Sequence, residues 1–296
     1  HRFSMSFIEQ GFPETALKNY PPIQFIGEGG HGKVFLVGTS HGREHRRGLK
    51  VIERKSSKGD YRKEYDALEK WINLSRKNEN LVSVHHLGNT PDDPCYYYVM
   101  DAADTLYLNE ETYHPSTAQS KLENAKGGLS SLEVSEISIG IAKALCFLHD
   151  NDLVHRDVKP ANILFVDGKP CLCDPSLLKH ASEVKTFSGF SMNYTDPLTF
   201  GTKAGDQFAL GRTMHRLIAG TESEEYPFPS IPESFMAGND PNLDRWLNYI
   251  FTKACEYRKE DRYSSMEALL LDLERAQKGE ELGNSLEGER PEEHQA

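Results

Sequence analysis

The chain has 296 residues, 38% of them hydrophobic and 27% charged, enough for one large domain or two lobes around a cleft and too many for a peptide module. Its formal net charge of −11 opposes generic binding to nucleic acid or to an anionic lipid surface. No apolar run reaches the roughly 18 residues of a membrane-spanning helix, so no membrane insertion is expected of this chain.

Residues 1–19 read as an N-terminal extension, and an opening on His1 with the first Met at position 5 resembles a cloning remnant or a fragment of a longer protein. Ile23 to Ile26, Lys33 to Gly38, Gly48 to Arg54, Leu81 to Leu87 and Cys95 to Asp101 are β-rich runs punctuated by Gly, Asn, Pro and Asp. Arg43, Arg46 and Arg47, with His41 and His45, read as a solvated hairpin loop. Between the strands, Tyr61, Tyr65, Leu68 and Ile72 recur at helical spacing, which predicts a helix over Tyr61 to Leu74 with one face on the sheet. After Asp101 the pattern changes. Asp104 to Ser131 reads as a short helix and an exposed connection, and longer helices are predicted over Leu132 to His149, Asp206 to Ala219, Leu243 to Ala254 and Ser265 to Ala276. Residues 277–296 have almost no apolar content and read as a disordered acidic tail. The fold class is therefore α+β, a small antiparallel sheet with one helix followed by a larger helical part. Five scattered cysteines fit a reducing cytoplasm. Cys171 and Cys173 would share a strand face, but no second pair at zinc spacing accompanies them.

Three stretches carry chemistry. Ile26 to Phe35 places Gly27, Gly29, Gly30 and Gly32 between two strands, where missing side chains let the backbone approach phosphates. The strand-like Lys33 to Val37 argues against a dinucleotide fold, which needs a helix there. Lys50 lies in the apolar strand Gly48 to Ile52, so its ammonium needs an anionic partner if it is buried. Glu64 and Glu69 both flank the apolar stripe of the first long helix, and Ala67 and Trp71 broaden that stripe towards Glu64. In Leu153 to Leu164, Asp157 can accept the proton of a hydroxyl and Lys159 can neutralise a moving phosphoryl group. Asn162 and the downstream Asp174 offer hard oxygens to Mg²⁺.

On these motifs the chain resembles a eukaryotic-type (Hanks-type) Ser/Thr protein kinase of the kind also found in bacteria, from Tyr20 to Arg275. The resemblance implies a bilobal fold with an N-lobe over 20–101 and a C-lobe over 102–276. It also implies transfer of the γ-phosphoryl of Mg²⁺-ATP to Ser/Thr hydroxyls of a protein substrate. Implied nucleotide contacts are Ile26, Gly27, Gly29, Gly30, Gly32, Val34, Gly48, Lys50, Met100, Asp101, Ala103 and Leu164. Asp157 would be the catalytic base, assisted by Lys159, with Lys50 paired to Glu64 and with Asn162 and Asp174 as metal ligands. Asp206 would brace the catalytic loop. Arg156 implies a phosphate-accepting activation loop with Thr186 and Ser188 as candidate phosphosites, and Ser191 would touch the catalytic Asp and Lys.

Two motifs depart from the family. Pro175 and Ser176 follow Asp174 where kinases have Phe and Gly, which removes an aromatic ring from beneath the helix, biases Asp174 towards extended backbone and makes a positive φ at Ser176 costly. Thr195-Asp196-Pro197-Leu198 lacks the glutamate that pairs with a buried arginine, so its counterpart Arg262 needs another acceptor or must be exposed. Gly48 in place of Ala is expected to enlarge the adenine pocket slightly. The alternatives to an active kinase are a nucleotide-binding scaffold without turnover and a small-molecule kinase on a related fold.

Overall fold

The computed structural model describes residues 2–29, 32–40, 42–53, 60–88, 95–108, 111–125, 127–180, 192–220 and 240–282, with the side chains of 2–4, 42–44, 60–64, 176, 180 and 192 left out. The chain begins with α1 (Arg2–Glu9) and a 3-10 turn at Glu14–Ala16. There follow β1 (Pro22–Gly29), β2 (Gly32–Thr39), β3 (Gly42–Glu53), α2 (Asp60–Ser75), β4 (Val84–Gly88) and β5 (Cys95–Asp101). These strands form one antiparallel sheet in the order β1-β2-β3-β5-β4. Side chains alternate across it. Tyr96, Tyr98 and Met100 face α2, with its Leu68 and Trp71, whereas Tyr97 and Val99 face away.

That far face is covered too. Phe7, Phe12 and Ala16 pack on Phe35, Val37, Leu49 and Val51, and the Phe12 and Phe35 rings meet edge to face at 5.1 Å. The segment before Tyr20 is thus a layer of the N-lobe, where the sequence reads only as an extension. Three further boundaries differ from the sequence reading. Residues 277–282, read as the start of a disordered tail, belong to the fold, since Gln277 ends the last helix and Leu282 is buried in the core. Arg43, Arg46 and Arg47 belong to the long strand β3, because Thr39 pairs with Gly42 and closes the hairpin earlier. Leu81 precedes β4 and bridges Leu172 of the other lobe.

The C-lobe contains α3 (Ala118–Asn124), α4 (Ser131–Asp150), β6 (Leu153–Val154), β7 (Ile163–Val166), β8 (Lys169–Leu172), β9 (Lys179–His180), α5 (Lys203–Ala219), α6 (Pro241–Ala254) and α7 (Met266–Gln277). Helix starts fall on hydroxyl or carboxylate caps. Ser130 and Glu133 form a reciprocal capping box on α4, while Thr202, Asp240 and Ser265 cap α5, α6 and α7. Ile141, Leu145 and Leu148 of α4 are fully buried, so this helix is the axis of the lobe. β6 pairs with β9 and β7 with β8, small ladders that carry the loops of the cleft. Among the described residues no helix is long and apolar enough to cross a membrane.

Burying a phenylalanine contributes roughly 1.5–3 kcal/mol, and truncating one leaves a cavity as well. Phe12→Ala is expected to cost about 3–5 kcal/mol, read as a lower urea midpoint at unchanged slope. An unchanged midpoint would show that the N-terminal layer adds nothing to the core.

Candidate active site

A cleft of about 420 Å³ lies between the sheet and the C-lobe. Ile26, Gly27, Gly29, Val34 and Gly48 line it from the sheet, Lys50 and Met100 from deeper in, Asp101 and Ala103 from the connection between lobes, and Asn162, Leu164 and Asp174 from the C-lobe. Gly30 lies outside the described residues. A cavity of about 480 Å³ at the base of the C-lobe, by His149, Lys203 and Met266, holds none of the residues predicted to bind nucleotide or do chemistry. The glycines divide in purpose. A Cβ at Gly27 or Gly29 would meet nothing within 4 Å, so they leave the cleft open, whereas one at Gly32 (φ +121°) would lie 2.1 Å from the Val51 carbonyl oxygen of β3. Gly48 does not enlarge the pocket as expected from sequence. A Cβ there would stand 3.1 Å from the Met100 side chain, which already occupies that space.

Sequence reading missed Tyr98, Tyr113, Pro115 and Thr117, which also line the cleft. Tyr98 was accessible from the alternation of β5, two residues before Met100 and so on the same face. The other three sit after the interlobe connection, where no periodicity marks them.

Lys50 and Asp174 meet across the cleft, Nζ to Oδ1 at 2.7 Å, both largely shielded from solvent. Sequence reasoning pairs Lys50 with Glu64. Glu64 lies on α2, but its side chain is outside the described set, and the described carboxylate on Lys50 is that of the other lobe. Asp174 also departs from the extended backbone expected before proline: its φ is 63° and ψ is 74°. Asp tolerates the left-handed region better than most residues, and two neighbours help to hold it. The preceding carbonyl, of Cys173, accepts a hydrogen bond from His155 Nε2 at 3.0 Å, and Pro175–Leu177 form a 3-10 turn closed by Leu178 N donating to Pro175 O. Regular 3-10 backbone has negative φ, so no positive φ is asked of Ser176, and the strain falls on Asp174 instead. α2 brings an aromatic ring of its own to His155. Trp71, fully buried, lies 5.9 Å from the His155 ring and donates its indole N–H to Val82 O.

The loop from His155 to Asn162 is held from below by Asp206 in the first turn of α5. Its carboxylate accepts from the backbone N–H of His155 and of Arg156, each at 2.9 Å, and lies 2.9 Å from His149 Nε2. This supports Arg156 at a positive φ of 74°. Burial pushes the Asp206 pKa up, but the His149 contact and the Arg156 N–H outweigh it and leave the pKa below the ordinary carboxylate value. Asp157 is buried, and its Oδ2 receives Asn162 Nδ2 and Lys159 Nζ, both at 2.8 Å. Asn162 Nδ2 also donates to Asp157 O. With its amide nitrogen so engaged, Asn162 has its carbonyl oxygen to offer, and Asp174 adds a carboxylate on the same cleft. A neutral and an anionic oxygen fit Mg²⁺, which keeps several waters and takes few protein ligands beside phosphates. Among the described residues no three His, Cys, Asp or Glu side chains gather in a metal-holding group at Cys171 and Cys173, and burial pushes both thiols up, Cys171 to about 12.

Beyond the cleft, Arg262 has the substitute acceptor that its motif demands. Its Nη2 bonds Asp196 Oδ2 at 2.7 Å and its Nη1 bonds Thr199 Oγ1 at 3.0 Å. The Arg156 guanidinium lies over the Phe200 ring at 4.3 Å. Thr186, Ser188 and Ser191 lie outside the described residues.

Residues 20–270 match the model of the protein kinase domain. The chain is 26% identical to "Serine/threonine-protein kinase C" of Synechocystis sp. over 88% of its own length and 51% of that protein. It is 28% identical to Serine/threonine-protein kinase PknF of Mycobacterium tuberculosis over 81% of its length and 52% of that protein. The chain thus spans about half the length of these curated relatives. The crystal structure of the M. tuberculosis PknI kinase domain matches with a TM-score of 0.62 at 23% identity, covering 88% of this chain and 96% of that one, a likeness of fold.

Because the folded pKa of Asp206 is depressed, its stabilisation is complete above the ordinary value of about 3.9 and is lost as pH falls towards the folded value. Asp206→Asn should be less stable than the parent at pH 7 and lose stability less steeply below about pH 4 in chemical denaturation. Parallel acid limbs for the two proteins would contradict this assignment.

Proposed function

Since the chain belongs to the protein kinase domain family, we propose that it transfers the γ-phosphoryl group of ATP to Ser or Thr hydroxyls of a protein. The observation that carries the reading is the convergence of Asp157, Lys159, Asn162, Asp174 and Lys50 from separate elements around one cleft. In this reading Asp157 orients the incoming hydroxyl and receives its proton, and Lys159, already on Asp157 Oδ2, shields charge on the transferring group. Lys50 exchanges Asp174 for the α- and β-phosphates, with Glu64 as its helix partner. Asn162 and Asp174 would hold Mg²⁺, which when bound neutralises the phosphate oxygens. The adenine would lie under Ile26 and Val34 and over Leu164, against the backbone of Asp101 to Ala103, with Met100 behind it. Lys159 supports hydroxyl amino acids as acceptors, and Thr186 and Ser188 are the sites we propose for phosphate that Arg156 would receive. Five free thiols, three of them buried, support a reducing cytoplasmic setting.

The test is transfer from γ-labelled ATP to the protein itself or to a generic basic protein. Asp157→Asn is expected to lower the rate by about 10²–10⁴-fold, the usual worth of a positioned base. Equal transfer by both proteins would sink the proposal. No transfer by either, with Mg²⁺-ATP still raising the melting temperature, would favour the scaffold.

A further inference from the structure

The stretch after the interlobe connection pairs with itself. Thr105 bridges Pro115, and Leu106 N donates to His114 O at 2.7 Å. Its base is fixed to the C-lobe. Asp104 N donates to Phe165 O and Phe165 N to Ser116 O, while the Asp104 carboxylate accepts from the backbone N–H of Asp167 and Gly168.

From this base Tyr113 reaches the N-lobe. Gln24 of β1 donates its Nε2 to Tyr113 O at 2.9 Å and accepts Tyr113 N at its Oε1 at 3.0 Å, so one side-chain amide copies a strand pairing. The Tyr113 hydroxyl donates to Ala103 O, in the interlobe connection, at 2.8 Å, and Tyr113 is itself buried at the edge of the cleft. The two lobes are therefore joined twice on this side, covalently through Asp101 to Ala103 and by the Gln24 amide. Rotating the sheet away from the C-lobe stretches both amide bonds at once.

We infer that Gln24 and Tyr113 form a clasp across the mouth of the cleft that holds the lobes closed over the bound nucleotide. They are positioning residues, and the clasp sets how readily nucleotide leaves. The inference rests on the cleft being a nucleotide site, while the separation of the lobes can be measured with no nucleotide added.

Two readouts on Gln24→Leu test it. Dissociation of a fluorescent ATP analogue with Mg²⁺ should quicken about tenfold, the equivalent of ~1.4 kcal/mol and the order expected for two ordinary hydrogen bonds. KM for ATP should rise in proportion with kcat not reduced. Without nucleotide, the distance between spin labels on unnatural side chains at Lys18 and Glu123 should broaden towards longer values. Gln24→Glu, which keeps the acceptor and sets a carboxylate against Tyr113 O, should move both readouts the same way and serves if the leucine variant folds poorly. Dissociation within twofold of the parent and unchanged label distances would overturn the clasp and leave the nucleotide reading intact. A parent that binds no nucleotide while the distances broaden would overturn the nucleotide reading and leave the clasp.

Discussion

The site depends on one buried carboxylate. Asp206 is almost fully shielded, and its charge is compensated by the two backbone N–H groups that open the catalytic loop and by His149. An uncompensated charge at that depth would cost several kcal/mol, so the loop and α5 can only be assembled together. The backbone of His155 and Arg156 is fixed by this anchor, and from it follow the hold of His155 on Cys173 and the projection of Asp157 towards Asn162 and Lys159. The first turn of a helix is a favourable place for such an anion, because the helix dipole adds to the hydrogen bonds.

The divergent stretch after Asp174 becomes intelligible against that anchor. Protein kinases place an aromatic residue and a glycine there, and this chain places Pro175 and Ser176. Trp71 of α2 approaches the same His155 that holds the carbonyl before Asp174. The glycine is made unnecessary by the 3-10 turn, and the positive φ is carried by Asp174, a residue that accepts it at low cost. The lost glutamate of the later motif is answered by Asp196 within the same segment. The altered backbone at Asp174 and the lost glutamate are each matched by a named contact.

How much of this was legible in the sequence depends on whether the signal was local. The strands of the large sheet followed from β-rich runs and the longer helices from helical spacing, and the catalytic loop from residue types at fixed intervals, so Asp157, Lys159, Asn162 and Asp174 could be named before their neighbours were known. The N-terminal layer left only an indirect trace. Cys95 to Asp101 is apolar on both faces, which calls for cover on both sides of the sheet, yet nothing in residues 1–19 says that they supply it. The Gln24–Tyr113 bonds and the Asp196–Arg262 pair join residues far apart in the chain, and such contacts have no periodicity to betray them. The backbone of Asp174 was misjudged because the proline rule is a local preference, overridden here by the hold on Cys173 and the turn that follows.

The proposed phosphoryl transfer turns on Asp174 holding Mg²⁺ although Pro175 and Ser176 follow it. Isothermal titration of ATP into the parent and into Asp174→Asn, each with and without Mg²⁺, tests this most directly. Mg²⁺ is expected to tighten ATP binding to the parent by at least about tenfold, ~1.4 kcal/mol, and the substitution to remove most of that gain while metal-free binding persists. Equal Mg²⁺ dependence in the two proteins, or none in the parent, would contradict it.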